Sequence, residues 1–149
     1  MKKLTDVLRG VTRLGFDTAP LIYFVEQNPG YITLVREVFR QVDNGSVEGF
    51  TGMIGFAEVL VVPKRMNDKI LEEAYRDVLF NSQNFSTLSI DAETAERAAD
   101  LRSRYKLKLP DALQIATALE AGCEAFLTND EALHSVVDLR VIVLKDVEL

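Results

Sequence analysis

Leu109-Pro110-Asp111-Ala112-Leu113-Gln114-Ile115-Ala116-Thr117-Ala118-Leu119-Glu120-Ala121-Gly122-Cys123-Glu124-Ala125-Phe126-Leu127-Thr128-Asn129-Asp130 is the stretch that decides the fold. Pro110 suits the first turn of a helix, where its missing N–H costs nothing. The helix it opens, Asp111 to Ala121, carries no charge from Ala112 to Leu119, as a segment covered on most sides requires. Gly122 can end it in the left-handed conformation. Ala125 to Thr128 then reads as a buried strand, and Asn129-Asp130-Glu131 as a turn into a brief helix. A buried helix, a tight connection, a buried strand and an acid directly after that strand are parts of a parallel sheet covered by helices. In such a sheet, polar residues that follow strands have first claim on function.

The same alternation runs back toward residue 1. Val11 to Phe16 reads as a strand ending at Asp17, with Thr18 as the cap of a helix that has Pro20 in its first turn and stops near Asn28-Pro29-Gly30. A helix from Ile32 to Val42 places Leu34, Val35, Val38 and Phe39 on one face, and Asp43-Asn44-Gly45 ends it. Val47 to Ile54 is a strand weakened by interior glycines, followed by a helix from Gly55 to Val62 that should stop at Pro63. Asn67 can cap a further helix with Ile70, Leu71, Ala74, Val78 and Leu79 inward. Phe85 to Ile90 is a strand, Asp91 caps a helix to about Tyr105, and Arg140 to Leu144 forms a last strand. The expected architecture is one α/β domain over residues 1–149, a three-layer α/β/α sandwich with a mainly parallel central sheet.

Composition sets bounds on function. With 149 residues, 48% hydrophobic and 27% charged, the chain can bury a core without staples. The single cysteine, Cys123, has no disulfide partner and no neighbour at metal-ligand spacing, so a packed, unreactive thiol in a reducing cytoplasm is expected. Met1-Lys2-Lys3-Leu4 runs into Thr5-Asp6 and Arg9-Gly10 without the apolar core of a signal peptide, and no segment is suited to a membrane. A net charge of −6 argues against a polyanionic partner unless cations neutralise some of the acids.

Four acids stand where such cations would bind. Asp17 and Asp130 each directly follow an apolar run and open a helix. Glu58 lies among the apolar residues of Ile54 to Val62, and Asp111 begins the uncharged helix already described. Each alone is explained by the favourable field at a helix N-terminus, about 0.3–1 kcal/mol, or by an exposed helix stripe. Together they stand one at each of four strand-to-helix or helix-entry points, which favours function. Two carboxylates about 5 Å apart repel by about 3 kcal/mol at an effective dielectric of about 20, so four converging acids need a cation. An all-oxygen set without His or Cys suits magnesium or manganese.

Phe16-Asp17-Thr18, Ala57-Glu58-Val59-Leu60, Leu109 to Ala118 and Leu127-Thr128-Asn129-Asp130 resemble the four acidic blocks of PIN-domain proteins, in order and at similar separations, and the similarity spans Leu14 to Leu144. The third and fourth blocks are the most specific. The resemblance to the toxin-type, VapC-like members implies a PIN-like fold in which Asp17, Glu58, Asp111 and Asp130 are the metal-binding and catalytic acids. It assigns Thr18 and Thr128 as supporting hydroxyls, Mg2+ or Mn2+ as cofactor and RNA as the substrate of hydrolysis. It further implies a small antitoxin partner and a homodimer, for which the apolar stretch Tyr23 to Phe39 is one candidate surface. The chain departs from the family in having Ala19-Pro20 where a serine is common, Glu131-Ala132-Leu133 where an aromatic residue is common, and an extension over residues 1–13 without a functional account.

Arg102, Arg104, Tyr105, Lys106 and Lys108, just ahead of Asp111, combine phosphate-neutralising bases with an aromatic ring able to stack on an unpaired nucleotide. The competing reading is a solvated helix end whose bases complement the dipole. His134 has no acid–base partner at a recognisable spacing and reads as structural. A haloacid-dehalogenase-like phosphatase needs a second acid two residues after Asp17, where Ala19 stands, and a receiver domain needs an early acid pair that is missing. The remaining alternative is a non-catalytic PIN-like module that binds RNA or protein without cutting it.

Overall fold

The computed structural model describes residues 1–149, and its centre is a sheet of five parallel strands. The chain begins with β1 (Lys2–Lys3) and a single helical turn, α1 (Leu4–Val7), followed by β2 (Arg13–Phe16), α2 (Thr18–Val25) and α3 (Ile32–Asp43). Next come β3 (Glu48–Gly52), α4 (Met53–Arg65), α5 (Lys69–Asn81), β4 (Phe85–Leu88), α6 (Ala92–Arg104) and α7 (Leu109–Glu120). The chain closes with β5 (Ala125–Thr128), a 3-10 turn at Glu131–Ser135, β6 (Arg140–Val143), a second 3-10 turn at Leu144–Asp146 and β7 (Val147–Glu148). No helix is long and apolar enough to cross a membrane.

Strand order in the main sheet is β4-β3-β2-β5-β6. The chain moves outward from β2 through β3 to β4, then crosses back to build β5 and β6 on the other side. β2 and β5 therefore flank the point where the winding reverses, which is where open parallel sheets bind ligands. Leu14, Phe16, Ala125 and Leu127 face one layer, with Val35, Val38, Phe39, Tyr75 and Leu79 in the same apolar cluster. Phe50 and Phe126 face the other layer, formed by α6 and α7 with Ala98, Leu101, Ile115 and Ala116. Gly15 permits this second packing, since a Cβ there would stand 2.6 Å from the Cβ of Ala118.

The helices confirm the three-layer expectation with several local corrections. Asp17 rather than Thr18 caps α2, accepting the Thr18 amide N–H at 2.9 Å. Asp68 rather than Asn67 caps α5, because Asn67 adopts a left-handed φ of 52° and the Asp68 carboxylate accepts from the Leu71 amide. α4 begins at Met53 and passes through Pro63 to Arg65. Leu71, Val78 and Leu79 of α5 turn to the core as expected, but Ile70 is 86% exposed, and Glu72 and Tyr75 are buried. Burial of Glu72 and Tyr75 is tolerated because Lys64 and Arg76 bond Glu72 at 2.9 and 3.3 Å and the Tyr75 hydroxyl donates to Glu26. The strand expected over Val47 to Ile54 is confined to Glu48–Gly52, which pairs with both neighbours despite its glycines.

Residues 1–13 have a structural role. β1 pairs in parallel with β7, Leu4 and Val11 enter the core, and Arg140 on the outer strand β6 donates to the carbonyls of Val7 and Arg9 at 2.7 and 2.9 Å. The extension is thus tied both to the chain's last strand and to β6.

Candidate functional site

The carboxyl ends of β3, β2 and β5, neighbours in the sheet, face the amino end of α7. Asp17 leaves β2, Asp130 follows β5 by one residue, Glu58 lies within α4 after β3, and Asp111 is in the first turn of α7. Asp17 is fixed most tightly. Its amide donates to Leu127 O at 2.9 Å, and its two carboxylate oxygens accept from the Thr18 amide at 2.9 Å and the Thr128 hydroxyl at 2.7 Å. Thr128, fully buried, in turn accepts the Asp130 amide at 3.1 Å. Glu58 accepts the Thr18 hydroxyl at 2.8 Å, and Asp130 caps its own 3-10 turn through the Ala132 amide.

The four acids share one electrostatic environment. Burial raises the Asp17 pKa above the ordinary carboxylate range, and the charges of Glu58 and Asp130 add to that rise. Asp111 is pushed up to about 6, first by burial and then by Asp17, Asp130 and Glu58, with Lys108 acting in the opposite direction. Mutual repulsion of this kind requires the carboxylates to be close together. The charges of Asp17, Glu58 and Asp130 all act on Asp111, so the four residues share the same edge of the sheet. A groove of about 410 Å³ lined by Phe24, Arg36 and Phe39 includes none of them.

No three or more His, Cys, Asp or Glu side chains are spaced to grip a metal ion directly. The donor chemistry nevertheless fits a hard divalent cation. Magnesium keeps several of its waters and needs only one or two direct carboxylates, the others being reached through water. Carboxylates without counter-charge also turn toward whatever donors they have, as Glu58 does toward Thr18 and Asp130 toward Ala132.

The basic segment is divided in its use. Arg104 bonds Asp138 at 2.7 Å and Asp100 at 2.9 Å, and the Tyr105 hydroxyl donates to Asp138 at 2.8 Å. Arg102 Nε donates to Leu107 O. Lys106 and Lys108 remain exposed, Lys108 beside Asp111. Within Tyr23 to Phe39 only Val35, Val38 and Phe39 are fully buried, and the other apolar residues pack on the core while half-buried. His134 does have a partner, with Asp146 3.3 Å from its Nε2. Burial raises the Cys123 thiol to about 12, leaving it unreactive. Sequence reasoning misses Gln114, a buried amide on α7 one turn beyond Asp111. Its signal is a polar residue inside an otherwise apolar and uncharged helix.

A sequence profile of the PIN domain matches residues 16–139, a span that contains all four acids. The chain belongs to the PIN domain family. Comparison with curated proteins finds no match. Among solved structures, this PIN domain is similar to a toxin–antitoxin complex from Klebsiella pneumoniae, with 26% identity, TM-score 0.66, and 89% of this chain and 97% of that chain covered. It is also similar to VapBC2 from Rickettsia felis bound to a DNA fragment from its promoter, with 14% identity, TM-score 0.71, and 89% and 98% covered. A third neighbour is VapC20 of Mycobacterium tuberculosis, described as a sarcin-ricin loop cleaving toxin, with 13% identity, TM-score 0.62, and 77% and 87% covered. At such low identity the last two show a shared fold.

Proposed function

We propose that this PIN domain is a magnesium-dependent endoribonuclease, the toxin of a type II toxin–antitoxin pair acting in the cytoplasm. The observation that carries the reading is that Asp17, Glu58, Asp111 and Asp130 come from four separate segments to one edge of the sheet, where burial first and the charges of the other three second raise Asp111 to about 6. Asp17, Glu58, Asp111 and Asp130 would hold Mg2+ or Mn2+, which when bound acidifies water and offsets charge on the scissile phosphate. Thr128 and the Thr18 amide fix the orientation of Asp17, and the Thr18 hydroxyl fixes that of Glu58. Asp111 accepts no protein hydrogen bond, so its carboxylate is free to turn toward what binds. Lys106 and Lys108 are placed to meet RNA phosphates ahead of the acids.

Solved relatives in complex with antitoxins, and one that cleaves the sarcin-ricin loop, support RNA as substrate and a small antitoxin as partner. A second candidate surface for self-pairing, beside Tyr23 to Phe39, is formed by Val61, Val62, Met66 and Ile70 on and beside α4 and α5, which are apolar and exposed. The test is incubation of the pure protein with structured RNAs in magnesium, with EDTA and the Asp17→Asn variant as controls. Fragments that appear in magnesium and vanish in both controls support the enzyme. RNA that binds and stays intact supports the non-catalytic module.

A further inference from the structure

We propose that Gln114 is a positioning residue for Glu58, acting through the Thr18 hydroxyl. The proposal rests on the reading that the four acids hold a divalent cation, and it concerns how one of them is aimed. Gln114 is 2% exposed, so both ends of its amide must find partners. The oxygen accepts the Gly52 amide N–H at 3.1 Å, and the nitrogen faces the Thr18 hydroxyl oxygen at 3.4 Å, a long contact. Gly52 N–H can only donate, which turns the amide oxygen toward it and leaves the NH2 for Thr18.

That orientation gives the contact a direction. A threonine hydroxyl has one proton, and an ionised carboxylate can only accept. With Gln114 donating to its oxygen, Thr18 directs its own proton to Glu58, 2.8 Å away. The same arrangement recurs at Asp17, where the Asp130 amide donates to Thr128 and Thr128 donates to Asp17. Two site acids are thus each held by a threonine whose oxygen is occupied by an N–H, supplied by backbone in one case and by Gln114 in the other.

The surrounding backbone leaves room for this amide. A Cβ at Gly55 would stand 2.6 Å from Gln114 Nε2, and one at Gly52 would stand 3.0 Å from Gln114 Oε1. Side chains at either position would push the amide away from Thr18. Because Asp111 and Gln114 lie one turn apart on α7, a single helix delivers one acid and orients another.

The experiment uses the full chain with Mn2+ as probe, its affinity read by electron paramagnetic resonance. Gln114→Met and Thr18→Val should each weaken Mn2+ about tenfold, the double variant no more than Thr18→Val alone, and Thr18→Ser should stay close to wild type. A metal-free readout accompanies this: the 13C resonance of the Glu58 carboxyl should move in Gln114→Met in the same direction as in Thr18→Val. If Gln114→Met does not fold, Gln114→Glu keeps the shape and the acceptor for Gly52 while losing the donor for Thr18. An unmoved Glu58 resonance, or reductions of Mn2+ affinity that add in full, overturns the proposal. Failure of the wild type to take up Mn2+ would instead refute the metal reading, and the Glu58 resonance alone would then decide the relay.

Discussion

Replacing Asp111 by Asn should make the metal-free protein more stable while removing its activity. An acid moved from 3.8 to about 6 carries up to about 3 kcal/mol against ionisation, at about 1.4 kcal/mol for each tenfold change. Asp111 is only half-buried, and solvent screening reduces this to about 1 kcal/mol. For a chain of this size that is a rise in Tm of roughly 2–4 °C. Because the folded pKa lies above the unfolded value, the penalty is absent below 3.8, grows as pH rises, and is complete above about 6. The gap between variant and wild type should therefore close as pH falls from 7 toward 4. The assay is thermal unfolding of both proteins in EDTA across that range, repeated at pH 7 with manganese. Manganese at about 100 times its Kd should raise wild-type stability by about 2.7 kcal/mol and that of the variant far less. A variant that melts below wild type in EDTA at pH 7, or a gap independent of pH, would refute the argument that burial, with the neighbouring acids, disfavours an ionised Asp111.

Other outcomes follow from the same geometry. Asp17→Asn should abolish magnesium-dependent cleavage with an unchanged circular dichroism spectrum, and retained cleavage would remove Asp17 from the site. Gly15→Ala should destabilise by about 1–3 kcal/mol, seen as an earlier urea midpoint, because the new methyl meets Ala118 where β2 packs on α7. Neutralising Lys106 and Lys108 together should flatten the salt dependence of RNA binding by about 0.7 in log–log slope for each phosphate no longer neutralised. Arg104→Gln should instead lower Tm, since its guanidinium holds Asp100 and Asp138.

Legibility of the sequence depends on the kind of signal. Pro110, the uncharged run Ala112 to Leu119 and Gly122 define α7, and Gly122 does take a left-handed φ of 76°. Asp91 does cap α6, accepting the Thr94 amide at 2.8 Å. Asp17 and Asp130 are legible because residues that follow parallel strands gather at one edge, and Asp111 because it opens the uncharged helix that Pro110 announces. Caps are off by one residue at Asp17 and Asp68, where neighbouring polar side chains compete for the same amides. On α5 the inward places of Leu71, Val78 and Leu79 are legible, whereas the burial of Glu72 is not, because apolar periodicity cannot register that Lys64 and Arg76 make Glu72 buriable. β1 and α1 are too short for any periodic signal, and their place is set by the distant partners β7 and Arg140. Arg104 and Tyr105 look available for RNA because their partner, Asp138, lies more than thirty residues downstream.

The strand order has a consequence for when this protein can act. Asp130 reaches the edge shared by residues 17, 58 and 111 only after β5 has slotted in beside β2. A chain still leaving the ribosome lacks half of its acids until its last third has been made. Assembly of the cutting centre thus waits on translation and folding, and in a refolding time course nuclease activity should trail helix formation, which can begin without β5.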